Sequence, residues 1–501
     1  MGPMRMLRGT RGFGFAWVVC VAACGDSQDG RDVDVDSGNI DGAAEVADAD
    51  PTEVADAEPT EASDLGGTEV ADSGPSEVAD SGPSGPLLDW PGARTEACTV
   101  TRAPAIPDPS DWAAYDLDVG PGDRAYLMAV ERGFMGAGDG LFVAPLGLDG
   151  TVGARLVLDA DPGYSNGAAM VRLGGDHASE LLVAWGHMRE DGAQALRVAT
   201  VAIDAVTGKA TVTRAGQDVA EVGWVNLQSI QLLVSGGGAD AYVTASAFDA
   251  GGAPGVPSLR RVPLAADGTL RAGAGAVRTL VEDASDPSVV ATADGIAAVW
   301  TASAGRGAEV FFGRFGADGA AIGTPRRLSV TGAEGVGSGL AYRGGRALIA
   351  AGGALWAAWS EWTFNGSWEA PEGHSTVRLA VLDQDGNGPT FEVQAAESDV
   401  VNQGASFFVN GDHIALTWLR GTAIHICGGC YVDYPVKVVL LDPATAAPVS
   451  EVATLDPVNG HGHSSALFAP LGAGVVVASS LDFHALTRPA TAAFRCGPKA
   501  P

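Results

Sequence analysis

Three segments in the last third of the chain combine histidine, aromatic and acidic side chains. Such side chains can stack on sugar rings, hold peptide side chains or bind a metal ion, and loops on a rigid scaffold are where binding residues concentrate. Long loops can also fold over and bury their own aromatic rings. The candidate binding residues are Trp362, Trp368, His374, His425, Tyr431, Tyr434, Asn459, His461, His463 and His484.

Two of the six cysteines, Cys427 and Cys430, lie within these segments with two glycines between them. In an exported protein, a local disulfide that stiffens the loop is the favoured interpretation. Alternatively, His425 and the two thiolates could bind Zn²⁺ together with His461, because imidazole and thiolate suit zinc, but oxidation would abolish that site. A redox Cys-x-x-Cys would need a helix N-terminus, and no helical pattern follows. We therefore expect a Cys427–Cys430 disulfide, no metal and no cofactor.

Sequence motifs of high specificity for catalysis are missing from the chain. It contains no His-Glu-x-x-His, P-loop or dinucleotide fingerprint. Acidic pairs such as Glu361 with Glu369 or Glu372 could cleave a glycosidic bond if their separation were suitable, although loop carboxylates are commonly just solvated. The sequence therefore favours a non-enzymatic protein that binds protein or glycan. The alternative is a carbohydrate-active hydrolase or lyase that uses the same loops.

The first residues of the chain have the pattern of an export signal. Arg5, Arg8 and Arg11 precede a short apolar stretch at 12–23, which ends in the sequence VAAC at 21–24. This ending resembles the lipobox of bacterial lipoproteins, which implies removal of residues 1–23 and acylation of Cys24. The alternative is an ordinary signal peptide with an incidental cysteine. Because several acyl chains anchor a protein durably, we expect the membrane as a partner and a place in the cell envelope, at the outer membrane or cell surface.

Residues 24–94 are expected to form a disordered acidic tether. Acidic side chains dominate this segment, in which an octad of the type EVADADPT recurs from residue 45 to residue 84. One small apolar residue per octad cannot form a core, and the like charges repel one another. The net charge of the whole chain is −31, which argues against a nucleic-acid partner. No apolar run reaches the roughly 18 residues that a transmembrane helix needs.

Beyond the tether, one apolar pattern returns seven times at a period of about 56–62 residues, in the range of propellers and arrays. Each repeat holds four strands, A to D, and its third and fourth strands are joined at a Gly that follows Asp or Thr, as at 267–268 and 385–386. These pairs predict two-residue hairpin turns with positive φ. The second strands begin at Ala125, Leu181, Ala241, Ile296, Leu355, His413 and Val475.

Seven four-stranded repeats without helical periodicity resemble a seven-bladed β-propeller, an all-β fold. The prediction covers residues 95–497, with a short tail at 498–501, and a monomer is expected. Separate β-sandwich domains would need units of roughly 100 residues. The B–C and D–A loops would share one face of the ring. Asn402 belongs to a recurrent D–A pattern, which also includes a segment at 224–226 and indicates either structural turns or a ring of amides at the channel mouth.

The last repeat lacks a fourth strand, because the chain ends after its third. The β-prone segment at 97–101, directly after the tether, could fill that place. Cys98 would then lie beside Cys496, and a disulfide between them would close the ring covalently. The alternative is two unpaired thiols.

Overall fold

The computed structural model describes residues 96–102, 111–121, 124–132, 140–147, 151–160, 167–190, 192–247, 255–271, 277–304, 307–329, 336–339, 346–365, 372–394, 400–422, 436–455, 463–471, 474–481 and 490–498. These residues form 28 strands and one short 3-10 helix, Gly175–His177. The strands make seven antiparallel blades, so the predicted seven-bladed β-propeller is confirmed. Within the described residues, no helix is long and apolar enough to cross a membrane.

The first four blades follow the order of the chain from the innermost strand outward. Blade 1 contains β2 (Asp111–Gly120), β3 (Arg124–Arg132), β4 (Gly140–Leu146) and β5 (Leu156–Asp159). Blade 2 contains β6 (Ala168–Arg172), β7 (Glu180–Met188), β8 (Gln194–Ile203) and the first half of β9 (Ala210–Ser235). Blade 3 contains the second half of β9, β10 (Gly238–Ala247), β11 (Ser258–Ala265) and β12 (Arg278–Glu282). Blade 4 contains β13 (Ser285–Thr292), β14 (Gly295–Ala304), β15 (Gly307–Gly316) and β16 (Ala321–Arg327).

The last three blades include one divided inner strand and one strand borrowed from the other end of the chain. Blade 5 contains β17 (Val336–Gly339) and β18 (Leu348–Ala351) as its two-piece inner strand, then β19 (Ala354–Asn365), β20 (Glu372–Leu382) and β21 (Thr390–Gln394). Blade 6 contains β22 (Val400–Asn410), β23 (His413–Thr422), β24 (Val436–Leu441) and β25 (Ala453–Leu455). Blade 7 contains β26 (His463–Leu471), β27 (Gly474–Leu481), β28 (Ala490–Pro498) and β1 (Glu96–Arg102).

The inner strands form a closed ring around the axis. Each inner strand contacts that of the next blade, in the order β2, β6, β9, β13, β18, β22 and β26, and β26 contacts β2. Between neighbouring blades lie seven apolar cores, each built from side chains of two blades. This follows from the alternation of strand side chains, because each blade presents one face to each neighbour. Trp185, Trp300, Trp359 and Trp418 occupy matching positions on the second strands of their blades, and all are buried.

The seventh blade closes as the sequence predicted. β1 pairs with β28, and Cys98 lies opposite Cys496 in the register. The two cysteines form a disulfide, with their Cα atoms 4.1 Å apart. Glu96, at the start of β1, also donates its backbone N–H to the Val449 carbonyl at 3.1 Å, and its carboxylate lies 3.1 Å from His413 Nε2 in blade 6. The strand that follows the tether is thus held to two blades.

Two local predictions need correction. The predicted two-residue turns are longer: Ala265 N–H bonds the Thr269 carbonyl at 2.8 Å, which closes a three-residue loop that ends at Gly268 with φ of 79°. A three-residue loop needs a left-handed conformation only at its last residue, here a glycine, so two residues with positive φ are not required. The segment at 224–226, interpreted as a D–A loop, instead lies inside β9, where Trp224 pairs with Ala247 in blade 3.

Arginines link several blades to the outer turn of the next blade. The Arg124 guanidinium in blade 1 donates to the Val206 carbonyl in blade 2 at 2.9 Å. In the same way, Arg314 of blade 4 forms an ion pair with Asp385 in the C–D turn of blade 5 at 2.9 Å. These contacts add polar connections to the apolar cores between the blades, so the ring is a rigid support for the loops and for the axis.

Candidate functional site

Most of the predicted binding face lies outside the described residues. The predicted lipidation site, Cys24, lies outside them as well, as do Trp368, His425, Cys427, Cys430, Tyr431, Tyr434, Asn459, His461 and His484. Trp362, His374 and His463 are described as strand positions: Trp362 pairs with Ser375, His374 with Thr363, and His463 with Leu481. The second strands of blades 5 to 7, β19, β23 and β27, run antiparallel to the inner strands of their blades. Each of them therefore ends beside the start of its inner strand, and the loops that follow start from one face of the ring. The binding roles stay predictions.

One predicted carboxylate, Glu361, is part of an ion-pair network inside blade 5. Its two oxygens accept from Trp359 Nε1 at 3.0 Å and from Arg378 Nε at 2.9 Å. Arg378 Nη1 also lies 2.9 Å from a carboxylate oxygen of Glu392 on the outer strand. All three charged side chains are less than a fifth exposed. This arrangement occupies Glu361 in holding the strands together.

A related network joins blades 1 and 2, where sequence reasoning singled out no residue. Trp185 Nε1 in blade 2 donates at 3.0 Å to Asp159 on the outer strand of blade 1, and Arg197 binds Asp218 at 2.7 Å on the neighbouring strand of blade 2. His187 Nδ1 lies 3.3 Å from the same Asp159 oxygen. Trp185 and Trp359 have matching places in their blades, but the acid that accepts from Trp359 lies on the same strand, whereas the acid that accepts from Trp185 lies in the preceding blade.

Asn402, the one D–A asparagine whose side chain is described, has a structural position. It is completely buried, and its Nδ2 donates to the Ser375 carbonyl at 2.8 Å. The Ser375 hydroxyl donates to the Asn402 carbonyl at 2.9 Å. These bonds join the third strand of blade 5 to the inner strand of blade 6. Asn402 therefore lies in a paired strand, and it is neither a turn residue nor an amide at the channel mouth.

Two aspartates with raised pKa values, Asp116 and Asp118, lie on the innermost strand of blade 1. Asp116 accepts the Met170 backbone N–H of blade 2 at 2.7 Å and the N–H of Leu117 at 2.8 Å. Asp118, two residues further along β2, accepts the N–H of Val119 at 2.8 Å. These bonds fix both carboxylates beside the seam between the inner strands of blades 1 and 2.

Burial at this seam favours the protonated forms of both acids. Burial and, to a lesser extent, the nearby negative charge of Asp118 raise the pKa of Asp116 to about 7, against the opposing effect of the Met170 N–H. Burial also raises the pKa of Asp118, against the opposing positive charges of Arg346 and Arg172. Asp116 is thus a carboxyl group that exchanges its proton near neutral pH.

Arg346 brings positive charge to this pair from another part of the ring. It lies two residues before β18 in blade 5, its side chain is exposed, and its carbonyl accepts the Phe407 N–H at 2.8 Å. Its charge lowers the pKa values of both Asp116 and Asp118. Blades 1 and 5 are not neighbours in the ring, so Arg346 and the two aspartates belong to blades that share no core. We call Asp116, Asp118, Arg172 and Arg346 the axial site.

A further acid, Asp286, lies at the start of the inner strand of blade 4. It occupies a bulge in the pairing of β13 with β14, and its φ of 47° is unusual for a residue other than glycine. Burial raises its pKa to about 6, and no charged neighbour contributes to that shift. Asp286 therefore combines backbone strain with a desolvated carboxyl group, a combination that is frequent at functional positions.

The axial site can donate and accept hydrogen bonds and can exchange a proton. It is not a metal centre on the residues that the structure describes, since these contain no group of three or more His, Cys, Asp or Glu side chains suited to a metal ion. Sequence reasoning missed it, although a signal was present. Where blade 1 has Asp116 and Asp118, blade 2 has Ala169 and Val171 on the matching strand.

The chain matches no family model and no curated protein. Solved structures with similar folds include an endo-arabinase from Bacteroides thetaiotaomicron, at 13% identity over 59% of this chain and 95% of the enzyme, with a TM-score of 0.30. A B. subtilis levansucrase mutant is 8% identical over 72% and 90%, with a TM-score of 0.36. Chaetomium thermophilum Sqt1, bound to the N-terminus of ribosomal protein L10, is 9% identical over 80% and 100%, with a TM-score of 0.38. At these values the similarity identifies neither a family nor a ligand.

Proposed function

We propose that this chain is an exported, lipid-anchored β-propeller that binds a protein or glycan ligand without catalysing a reaction. The observation that carries the export step is the Cys98–Cys496 disulfide, since such bonds persist in oxidising compartments outside the cytosol. The apolar stretch that ends at Cys24 supplies the matching signal, and the acidic segment at 24–94 would hold the ring away from the membrane.

The architecture supports binding through its rigidity. Seven cores between blades and a covalently closed ring fix the strand ends from which the loops of blades 5 to 7 extend. A ligand that binds loops on such a support meets a surface that needs little ordering, which lowers the entropic cost of association. The aromatic and histidine side chains of those loops, together with Trp362 and His374 on the adjoining strands β19 and β20, would supply the contact surface.

The anchoring step is tested by substitution at the two cysteines of the signal segment. The full chain is expressed in a bacterium with an alkyne-tagged fatty acid, and membranes are separated from the soluble fraction. We expect the wild type and the matched control Cys20→Ala to be labelled and membrane-bound, and Cys24→Ala to be unlabelled. Labelling of Cys24→Ala at the wild-type level would contradict the lipid anchor. Ligand capture is then measured on the full membrane-bound chain with a glycan array and a peptide library.

A second candidate function is a carbohydrate-active hydrolase or lyase, and one observation favours it. The pKa of Asp116 is raised to about 7, so this acid keeps a transferable proton at neutral pH, as a general acid must. Its site would then be the axis and not the loops of blades 5 to 7. Release of reducing sugar ends from polysaccharides, abolished in Asp116→Asn, would favour this enzyme over the binding protein.

A further inference from the structure

The acidic segment at 24–94 leads into β1, whose first residue, Glu96, is fixed to blade 6 as well as to blade 7. Its backbone N–H donates to the Val449 carbonyl at 3.1 Å, and its carboxylate lies 3.1 Å from His413 Nε2. Val449 follows the turn after the third strand of blade 6, and His413 follows the turn between the first and second strands. The tether therefore reaches the ring on the face that carries these short turns.

The predicted binding loops leave from the opposite face of the ring. β23 begins at His413, among the short turns, and ends before the loop that contains His425. β28 begins after the loop that contains His484 and ends beside Glu96. We call the face from which these loops leave the loop face. A ligand on the loop face and an anchor on the tether would pull on the ring from opposite sides, roughly along its strands.

The disulfide lies near the end of β1 on which the tether would pull. Seven residue pairs join β1 to β28, and the pair Cys98–Cys496 is the third from Glu96. A sideways pull on Glu96 would open the pairs one at a time, because the load acts first on the hydrogen bonds nearest to the end. Only two pairs could open before the disulfide stops the separation. The force then passes into β28 and not along β1 into blade 1.

Closure of the ring alone would not require this position. A disulfide at any pair between β1 and β28 would close a loop of nearly the same length, so its effect on the unfolded chain would be nearly the same. A bond near Arg102 would leave most of β1 open to peeling from Glu96. The bond at Cys98 instead protects all the pairs that lie beyond it.

We propose that the Cys98–Cys496 disulfide, together with the contacts of Glu96 to blade 6, is a load-bearing clasp, which holds the ring to its tether while a ligand pulls on the loop face. This inference rests on the proposed lipid anchor and deepens the proposed function, because it specifies the kind of ligand. A freely diffusing solute exerts no pull on the ring. The ligand is therefore an immobilised macromolecule, a protein or glycan that is itself fixed to a surface or a network.

The proposal is tested by pulling single molecules of the chain from residue 24 onward in optical tweezers. One handle takes the place of the lipid at residue 24. The other is joined to a tag inserted after Glu190, between the second and third strands of blade 2, on the loop face. In Cys98→Ser with Cys496→Ser, β1 should detach and release the chain up to Asp111, about 15 residues and at most about 50 Å. This step should need a force roughly threefold or more below that of the first event in the oxidised wild type, because only individually weak hydrogen bonds then hold β1.

The matched control is Arg378→Met, which removes an ion pair of blade 5 but leaves the clasp intact and should not show the β1 step. Reduction of the folded wild type in the instrument should produce the step, and it replaces the double variant if that variant does not fold. A step of this size in the oxidised wild type, at the force seen in the double variant, would overturn the proposal. Absence of the step from both the double variant and the reduced wild type would overturn it as well, since hydrogen bonds alone would then carry the load. Because a handle replaces the lipid, this result does not depend on whether Cys24 is acylated.

Discussion

Replacing Asp116 with asparagine should remove the contribution of this carboxyl group to the pH dependence of the stability of the ring. Burial raises the pKa of Asp116 from its ordinary value of 3.8 to about 7, so the folded protein binds this proton more tightly than the unfolded chain does. A raised pKa contributes stability that is fully present below 3.8 and is lost as pH rises through about 7. At pH 8 the wild type therefore carries a buried charge that the variant lacks.

The size of the effect follows from the two pKa values. Each tenfold change in proton affinity corresponds to about 1.4 kcal/mol, so this rise corresponds to a change of at most about 4 kcal/mol between pH 4 and pH 8. The substitution also lowers the free energy of unfolding by an amount that does not depend on pH. The reason is that the amide NH₂ group cannot accept the N–H of Leu117 or Met170, as the carboxylate oxygen did. An unmatched N–H costs about 1–3 kcal/mol. The variant should be the less stable protein at pH 4.5 and should equal or exceed the wild type at pH 8.5.

The assay is urea unfolding of both proteins at half-unit steps from pH 4.5 to pH 8.5. Asp383→Asn is the matched control: backbone hydrogen bonding, chiefly from Asn387, lowers the pKa of Asp383, so its contribution is complete above the ordinary value and should be constant in this range. A difference between Asp116→Asn and wild type that does not change with pH would refute the reasoning, since Asp116 would then titrate alike in the folded and unfolded chains.

Two further predictions concern the links that hold the ring together. The double variant Cys98→Ser with Cys496→Ser should have a free energy of unfolding that is lower by about 2–6 kcal/mol, because the disulfide closes nearly the whole propeller into one loop. A reductant should destabilise the wild type only. An equal effect of the reductant on the double variant would contradict this prediction. Arg378→Met should cost about 3 kcal/mol in the same urea assay, because it leaves partly buried carboxylates of blade 5 without a counterion. In the control Arg278→Met, the replaced guanidinium lies 3.9 Å from Asp318 at an exposed surface, and the loss of unfolding free energy should be less than about 0.5 kcal/mol. Equal losses in the two variants would show that the network in blade 5 stabilises the fold no more than an exposed ion pair does.

The fold could be predicted from the sequence because its information repeats. Each blade packs its second strand against two neighbours, so the same apolar pattern returns in every unit, with tryptophan at one fixed position in four of them. The missing strand of blade 7 could be assigned because one β-prone segment, around Cys98, remained unassigned and carried a cysteine. Repetition and an incomplete count of strands are both visible without coordinates.

The lengths of the turns and the extent of β9 depend on strand pairing in three dimensions, which the local sequence does not determine. Turn length depends on where strand pairing stops. At Gly268 and Gly386 the last backbone hydrogen bond of the hairpin encloses three residues, one more than a two-residue turn has. Similarly, polarity around Trp224 and Asn226 indicated a loop, yet pairing on both sides keeps β9 extended through the passage from blade 2 to blade 3. Tertiary pairing overrode local composition at these places.

The axial site shows why charged residues in strands are harder to interpret than those in loops. Asp116 and Asp118 alternate with apolar residues, which is the pattern of a strand that is exposed on one face. In the ring, that face turns to the axis and to the neighbouring blade, so the acids are desolvated and not solvated. Glu361 shows the converse, because an acid that could serve catalysis in an isolated segment is held by Arg378 once the sheet forms.

Charges from blades 1 and 5 can share one site only if every intervening seam has a fixed geometry. The seven apolar cores provide this, because each contains side chains of two blades and no blade has a core of its own. The weakest place in such a ring is the blade assembled from both chain ends, where β1 could separate from β28 without breaking a loop. The Cys98–Cys496 disulfide lies at that place. The bond that closes blade 7 therefore also stabilises the ring in which blades 1 and 5 hold their charged side chains.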